Sequence, residues 1–360
     1  MKNLIRICAA ACIVFSLTLS FPAQEPNTRA EFECLMMTGT SGIATPGEKG
    51  KHPTFHHVWR PDMKYGFFES NGVKMVYNIE GRGEETIIVA PGGPGLPQEY
   101  VHPMLSNLSQ YVNMVYFDRR TDIISSRTPS EVISPSEIAD DIDALRQTLG
   151  LSRITLLGHS FGGAVALTYA LRYPQHVKRL LLLSTSAVIE NPVDTEQRLM
   201  KKLSPAELST MNSSEPGLSP CDLVKKRYRA LYPYYFHQKP NSEWLEAGTY
   251  SIYFDALAKK LVLASNAGGF DVRSSLVRIT APVLVMGGRH DVVTPVSMVR
   301  EMADQLPKSK MVVMEHSGHF PFLEENYMFT EWVRQFMVGT VDAGNDIELH
   351  QVKASEGGSR

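Results

Sequence analysis

Residues 153–173 read RITLLGHSFGGAVALTYALRY, and no other stretch limits the fold as tightly. A short apolar run, Ile154–Leu157, breaks at Gly158, and a helical pattern begins at Phe161 and stops at Pro174. A buried strand that passes into a helix across so few residues must turn sharply. Small residues two before and two after Ser160 relieve the crowding such a turn creates, and Gly163 leaves room for close helix packing. Gly158-His159-Ser160-Phe161-Gly162 therefore has two readings. Ser160 is either a nucleophile raised on a strained turn or an ordinary serine at a helix start. The motif alone does not choose.

The segments around it supply context. GVKMVYNIEGRG (72–83) alternates apolar and polar positions at Val73, Met75 and Tyr77 before a glycine turn, which predicts a strand and hairpin. ETIIVA (85–90), NMVYFD (113–118), RLLLLS (179–184), APVLVMGG (281–288) and KMVVME (310–315) are short apolar runs of buried-strand type. Ser134, Pro135 and Glu137 form a helix-start signature, with Ile138, Ile142, Leu145 and Leu149 on one stripe and Gly150 to end it. Further helices are expected at about 296–306 and 323–338. Strands alternating with helices predict a mostly parallel sheet covered on both faces. The rhythm lapses over 190–272, where Lys, Glu, Tyr, Ser and Pro are frequent and helices are expected near 196–208, 219–231 and 242–265. That region reads as a helical cap inserted between two parts of an α/β core, 66–189 and 273–340.

The ends differ in kind. Lys2 and Arg6 precede an apolar stretch, Ile7 to Phe21, with Thr18, Ser20 or Ala23 as small residues near a cleavage point. This is the pattern of a secretory signal over residues 1–22, and it predicts a secreted or periplasmic protein with no stable membrane partner after signal removal. An uncleaved anchor and a lipid-modified Cys12 are the alternatives. Residues 23–65 form an N-terminal extension in which His52, His56 and His57 read as loop residues, and 341–360 a polar, disordered tail. Of the four cysteines, Cys8 and Cys12 would leave with the signal, while Cys34 and Cys221 remain and could pair in an oxidising compartment. No Cys-x-x-Cys or metal-spaced cluster occurs. A formal net charge of −2 gives no support for nucleic acid as a partner. Oligomeric state is not legible.

The elbow becomes informative beside the loops that follow other strands. A serine hydroxyl needs a base, and the base needs an orienting carboxylate. On a sheet of this kind they follow the serine in the order acid, then histidine. Asp291 follows the strand VLVMGG and His319 stands in a glycine-containing loop after the last strand, so both fall where ligands approach an α/β sheet. His316 is the rival base. His290 and His159 read as a loop residue and a packing or positioning residue, and Asp118 and Asp122 as weaker acid candidates because their strand precedes the serine. Serine in place of aspartate at the elbow argues against epoxide hydrolysis and dehalogenation. After the strand IIVA, Gly92 and Gly93 expose backbone N–H groups that can meet a developing oxyanion, with Gly93 and Phe161 as the two donors. No metal or organic cofactor is required.

The order of PGGPG, FDRR, GHSFGG, GGRHDVVTP and SGHFPF resembles the α/β-hydrolase fold, and more narrowly the prolyl iminopeptidase family of serine aminopeptidases, over about residues 66–338. The family's H-G-G-P-G has Pro91 in the histidine position. Its D-Q-R-G run appears as Asp118-Arg119-Arg120-Thr121, and Phe161 replaces the usual tryptophan. The triad positions are untouched. The resemblance implies cap carboxylates that hold a substrate's free amino terminus, for which Glu243 and Glu246 beside Trp244, and less surely Glu196, are candidates alongside Gly92 of the oxyanion loop. It implies a short-peptide or small-molecule substrate, with N-terminal proline favoured. An esterase or lactonase is the alternative enzyme. A hydrolase-like ligand-binding protein without catalysis is the alternative of another class.

Overall fold

Neighbouring strands that leave one sheet edge together bring their following loops together, and the six parallel strands of an eight-stranded sheet do so here. The computed structural model describes residues 63–93, 101–117, 134–189, 192–213, 226, 230–240 and 269–339. The strands are β1 (Lys64–Ser70), β2 (Val73–Glu80), β3 (Thr86–Ala90), β4 (Asn113–Phe117), β5 (Ile154–His159), β6 (Val177–Leu183), β7 (Val283–Gly288) and β8 (Ser309–Met314). They form one sheet in the order β1-β2-β4-β3-β5-β6-β7-β8. The β1–β2 and β2–β4 pairs are antiparallel, and every pair from β4 to β8 is parallel.

Alternation along each strand divides the core in two. Ile88, Ala90, Leu156, Leu180, Leu182, Val283 and Val285 pack with Ile138, Ile142 and Leu145 of the helix Pro135–Thr148, with Val165 and Leu167 of the helix Phe161–Arg172, and with Val299 and Met302 of the helix Val296–Gln305. Their neighbours Ile87, Val89, Leu157, Leu181, Leu183, Leu284 and Met286 face the other way, onto Val101, Leu105, Tyr232, Tyr235, Phe329 and Val333. Both faces are dry, so β5 and β7 are buried at all six positions and read as unbroken apolar runs. The helix at Pro135 starts as its sequence predicts. Ser134 N–H donates to Glu137 at 2.7 Å, and Glu137 N–H donates back to Ser134 Oγ at 3.3 Å.

Three local expectations need correction. The hairpin turn lies before β2, at Asn71-Gly72, not after it. Both residues have positive φ (48° and 75°), the conformation that an Asn-Gly pair favours in a two-residue hairpin. Among the described residues the first strand is β1, which starts at Lys64. The stretch expected to be helical over 196–208 is two helices, Pro192–Met200 and Pro205–Asn212. Ser204 caps the second through a reciprocal pair with Glu207, and Pro205 cannot continue the first. The last helix is also divided, into Pro321–Glu324 and Asn326–Met337, at Glu325 with φ −125° and ψ 48°. The Glu325 carboxylate there turns back to accept from His316 N–H and Ser317 Oγ–H. The expected helices at 219–231 and 242–265 lie almost wholly outside the described residues.

The register sets the site. Ala90 pairs with Gly158, His159 with Leu183, Leu183 with Met286, and Gly288 with Met314. The loops after β3, β5, β6, β7 and β8 therefore leave one edge side by side. At that edge the helix after β5 approaches β3 so closely that a Cβ on Gly162 would sit 2.6 Å from the Pro91 carbonyl oxygen, and nearer still to that of Ala90. Both obstacles are backbone and cannot rotate away. Gly162→Ala should therefore lower unfolding free energy by about 1–3 kcal/mol in urea denaturation, as overpacking does. An unchanged midpoint would contradict this close approach.

Candidate active site

Ser160 occupies φ 53° and ψ −121°, a conformation non-glycine residues rarely adopt and one that costs about 1–3 kcal/mol. Three hydrogen bonds hold it there. Its N–H donates to the Leu183 carbonyl at 2.9 Å, and its carbonyl accepts from Gly163 N–H at 2.8 Å and from Thr185 Oγ1–H at 2.7 Å. Glycines complete the turn. A Cβ at 158 would meet the Gly162 carbonyl carbon and Gly163 Cα at 2.7 Å, and one at 163 would strike the Thr185 side chain.

His319 and Asp291 converge on this serine. His319 Nδ1 lies 2.8 Å from Asp291 Oδ2, and His319 Nε2 lies 3.0 Å from Ser160 Oγ. A carboxylate can only accept, so Nδ1 carries the ring proton of the neutral imidazole and Nε2 is free to accept from the Ser160 hydroxyl. Asp291 is buried at 5% exposure yet fully paired. It accepts from Val293 N–H at 2.8 Å, Thr294 N–H at 3.0 Å and Thr294 Oγ1–H at 2.7 Å besides His319. Burial is the strongest single influence on its pKa and pushes it up. The charge and hydrogen bond of His319, with the bonds from Thr294, outweigh that and hold it below the ordinary carboxylate range.

The other candidates separate cleanly. His316 is exposed and its ring lies 6.3 Å from that of His237, while His319 is the histidine that meets Ser160. His290 stacks on His237 with ring centroids 3.8 Å apart. His159 is buried, its Nε2 lying 2.9 Å from the His319 carbonyl oxygen, and that acceptor makes Nε2 the protonated nitrogen. Burial, then repulsion from His319, lowers its pKa to about 3, which keeps it neutral. It holds the backbone of His319 and leaves proton transfer to that residue.

The oxyanion loop is partly described. Gly92 is buried and Gly93 takes φ 86°, a left-handed turn that favours glycine, two residues after Pro91, whose carbonyl approaches Gly162. Phe161 is the first helical residue, so its N–H has no acceptor within the helix. Glu243, Glu246, Asp118, Asp122, Cys34 and Cys221 lie outside the described residues, as does the side chain of Glu196.

Three supporting residues escaped the sequence reading. Thr294 shares Asp291, and an acidic residue followed three positions on by threonine is a recognisable local turn pattern. Thr185, which braces the elbow, carries no such local signal because its partner is 25 residues away. Glu324, which reaches the His319 loop, reads in sequence as an ordinary helix acid.

Comparison with known proteins agrees with this architecture. Residues 85–326 match the family model described as the alpha/beta hydrolase fold. The proline iminopeptidase of Saccharolobus solfataricus is 26% identical over 280 residues, spanning 73% of this chain and 87% of that protein. The crystal structure of a proline iminopeptidase from Mycobacterium smegmatis superposes with a TM-score of 0.63 at 20% identity, covering 77% of this chain and 98% of that one. An N-acyl homoserine lactone degrading enzyme superposes with a TM-score of 0.57 at 23% identity, over 75% of this chain and all of that one. At these identities the two structural likenesses are likenesses of fold. The family model spans more than half of the sequence and the sheet order agrees with it, so the chain belongs to the alpha/beta-hydrolase fold family.

Proposed function

We propose that this chain is an exported serine hydrolase that releases the N-terminal residue of short peptides, with proline favoured. The observation that carries the reading is the unbroken chain Ser160 Oγ, His319, Asp291, at 3.0 and 2.8 Å. The likeness to proline iminopeptidases adds the substrate class. In this reading Ser160 Oγ attacks the carbonyl carbon and gives its proton to His319 Nε2. Asp291 stabilises the imidazolium that results, and the Gly93 and Phe161 N–H groups meet the oxyanion. The tetrahedral adduct collapses, the C–N bond breaks, and Nε2 passes the proton to the departing amine. Water then repeats the sequence on the acyl-enzyme and frees Ser160.

The rest of the proposal follows from charge and chain order. A protonated amine in a pocket needs an opposite charge, which assigns Glu243 and Glu246 of the 190–272 cap to the substrate's amino end. Residues 1–22 act as the export signal. Pro91, where the family has histidine, favours an esterase or lactonase as the second reading, since the same triad serves an ester with a neutral acyl group.

A substrate panel separates the two. Prolyl p-nitroanilide should be cleaved about tenfold or more better, by kcat/KM, than its N-acetylated form, because acetylation removes the charge the cap carboxylates would bind. Equal cleavage of the free and blocked amides, with p-nitrophenyl acetate preferred to both, would contradict the peptidase reading and favour the esterase. Across the panel, Asp291→Asn should reduce kcat by about 10⁴, since an amide at Oδ2 favours the wrong histidine tautomer. A loss under tenfold would contradict the role given to Asp291.

A further inference from the structure

Segment 231–240 crosses directly over the loop that carries His319. His319 N–H donates to the Tyr235 carbonyl at 2.6 Å. The Phe236 and Phe320 rings lie 4.8 Å apart, and the Tyr235 ring meets His319 edge-on at 5.7 Å. Gly318 comes so near that a Cβ there would strike the backbone of Tyr235 and Phe236. One side chain joins the two strips of backbone. Glu324 Oε1 accepts from Gly318 N–H at 2.7 Å, and its Oε2 accepts from His237 N–H, also at 2.7 Å. Gln238 and Phe320 N–H groups bond to the same carboxylate.

We infer that Glu324 is a positioning residue, whose carboxylate ties segment 235–238 to the base loop so that the placement of that segment sets the alignment of His319. The backbone around the base is then pinned on three sides. Glu324 holds the N–H before it, Tyr235 holds its own N–H, and His159 holds its carbonyl. Two of the three pins run to segment 231–240, which lies within the cap region. Anything that shifts this segment, a bound substrate included, acts on the base. A displacement of about 1 Å at a reacting group is enough to cost about a hundredfold in rate.

The carboxyl is also poised to change charge. Burial raises its pKa to about 7, against the lowering effect of its four backbone donors. The clamp therefore carries its full charge above that pH and weakens below it. The ionisable groups around it are Glu325 on its own element, His237 on the segment with His290 stacked against it, and His316 and His319 on the loop.

The inference rests on the Ser160–His319 reading, and the test keeps the two apart. Hydrolysis of p-nitrophenyl acetate is measured first for wild type and Ser160→Ala. Turnover that survives in Ser160→Ala means that the hydrolase reading fails, whatever Glu324 does. With that established, Glu324→Gln should fold, keep KM within about twofold and lose roughly 10- to 100-fold in kcat. The ratio of wild-type to Glu324→Gln kcat should shrink as pH falls below about 7, because protonated Glu324 resembles glutamine. Unchanged kcat in folded Glu324→Gln, or a ratio independent of pH, would overturn the inference. Where Glu324→Gln does not fold, Glu324→Asp decides. Its stem is about 1.5 Å shorter and cannot span both strips, so kcat should fall with KM held. Wild-type kcat in folded Glu324→Asp would overturn the inference equally.

Discussion

A strained serine between a strand and a helix is the constraint on which the rest of this structure depends. Left to itself, Ser160 would relax from φ 53° into an ordinary helix start. It is prevented by bonds to three separate elements, the end of β6, the first turn of its own helix and Thr185. Those bonds need backbones closer than side chains allow, hence glycine at 158, 162 and 163. The strain is local, but the structure that enforces it spans β3, β5 and β6. These three strands must therefore be paired before the hydroxyl is raised above the sheet edge.

The second requirement is a buried charge that stays charged. A carboxylate with 5% exposure is unstable without partners. Asp291 has four donors in place, three of them from the turn that follows it. Its field fixes which ring nitrogen of His319 carries the proton. His159, neutral and bonded to the His319 carbonyl, adds support without adding charge. The orientation of the base thus comes from two directions. The carboxylate aligns its ring, while His159, Tyr235 and Glu324 hold its backbone.

The sheet was legible because both of its faces are covered, which makes each central strand a plain apolar run bounded by turn residues. The elbow, the acid and the base were legible for a related reason. Each sits in a short loop after such a run, so finding the strand locates the residue. Where local signals compete, the reading slipped. Asn71-Gly72 is the stronger turn pair, yet the glycines after β2 drew the hairpin to themselves. Ser204-Pro205 divides a helix whose two halves are each well patterned. The side chains of Glu324 and Glu325 break another by reaching back to the His319 loop. Thr185 and Glu324 could not be found from spacing, since their partners come from other elements. Glu243 and Glu246 belong to 190–272, where no strand rhythm ties sequence position to place.

In the proposed function, specificity is set away from the chemistry. Ser160, His319 and Asp291 meet at the edge of the sheet, while the residues proposed to select substrate belong to the inserted region. Segment 231–240 is the strip through which the two would communicate. All of this rests on Ser160 being an activated nucleophile. The most direct measurement is intact-mass analysis of the folded protein after treatment with a fluorophosphonate, with the modified peptide mapped. The account predicts a single adduct on Ser160, absent in Ser160→Ala and formed far more slowly in His319→Ala. Folded wild-type protein that stays unmodified, or an adduct that persists in Ser160→Ala, would contradict it.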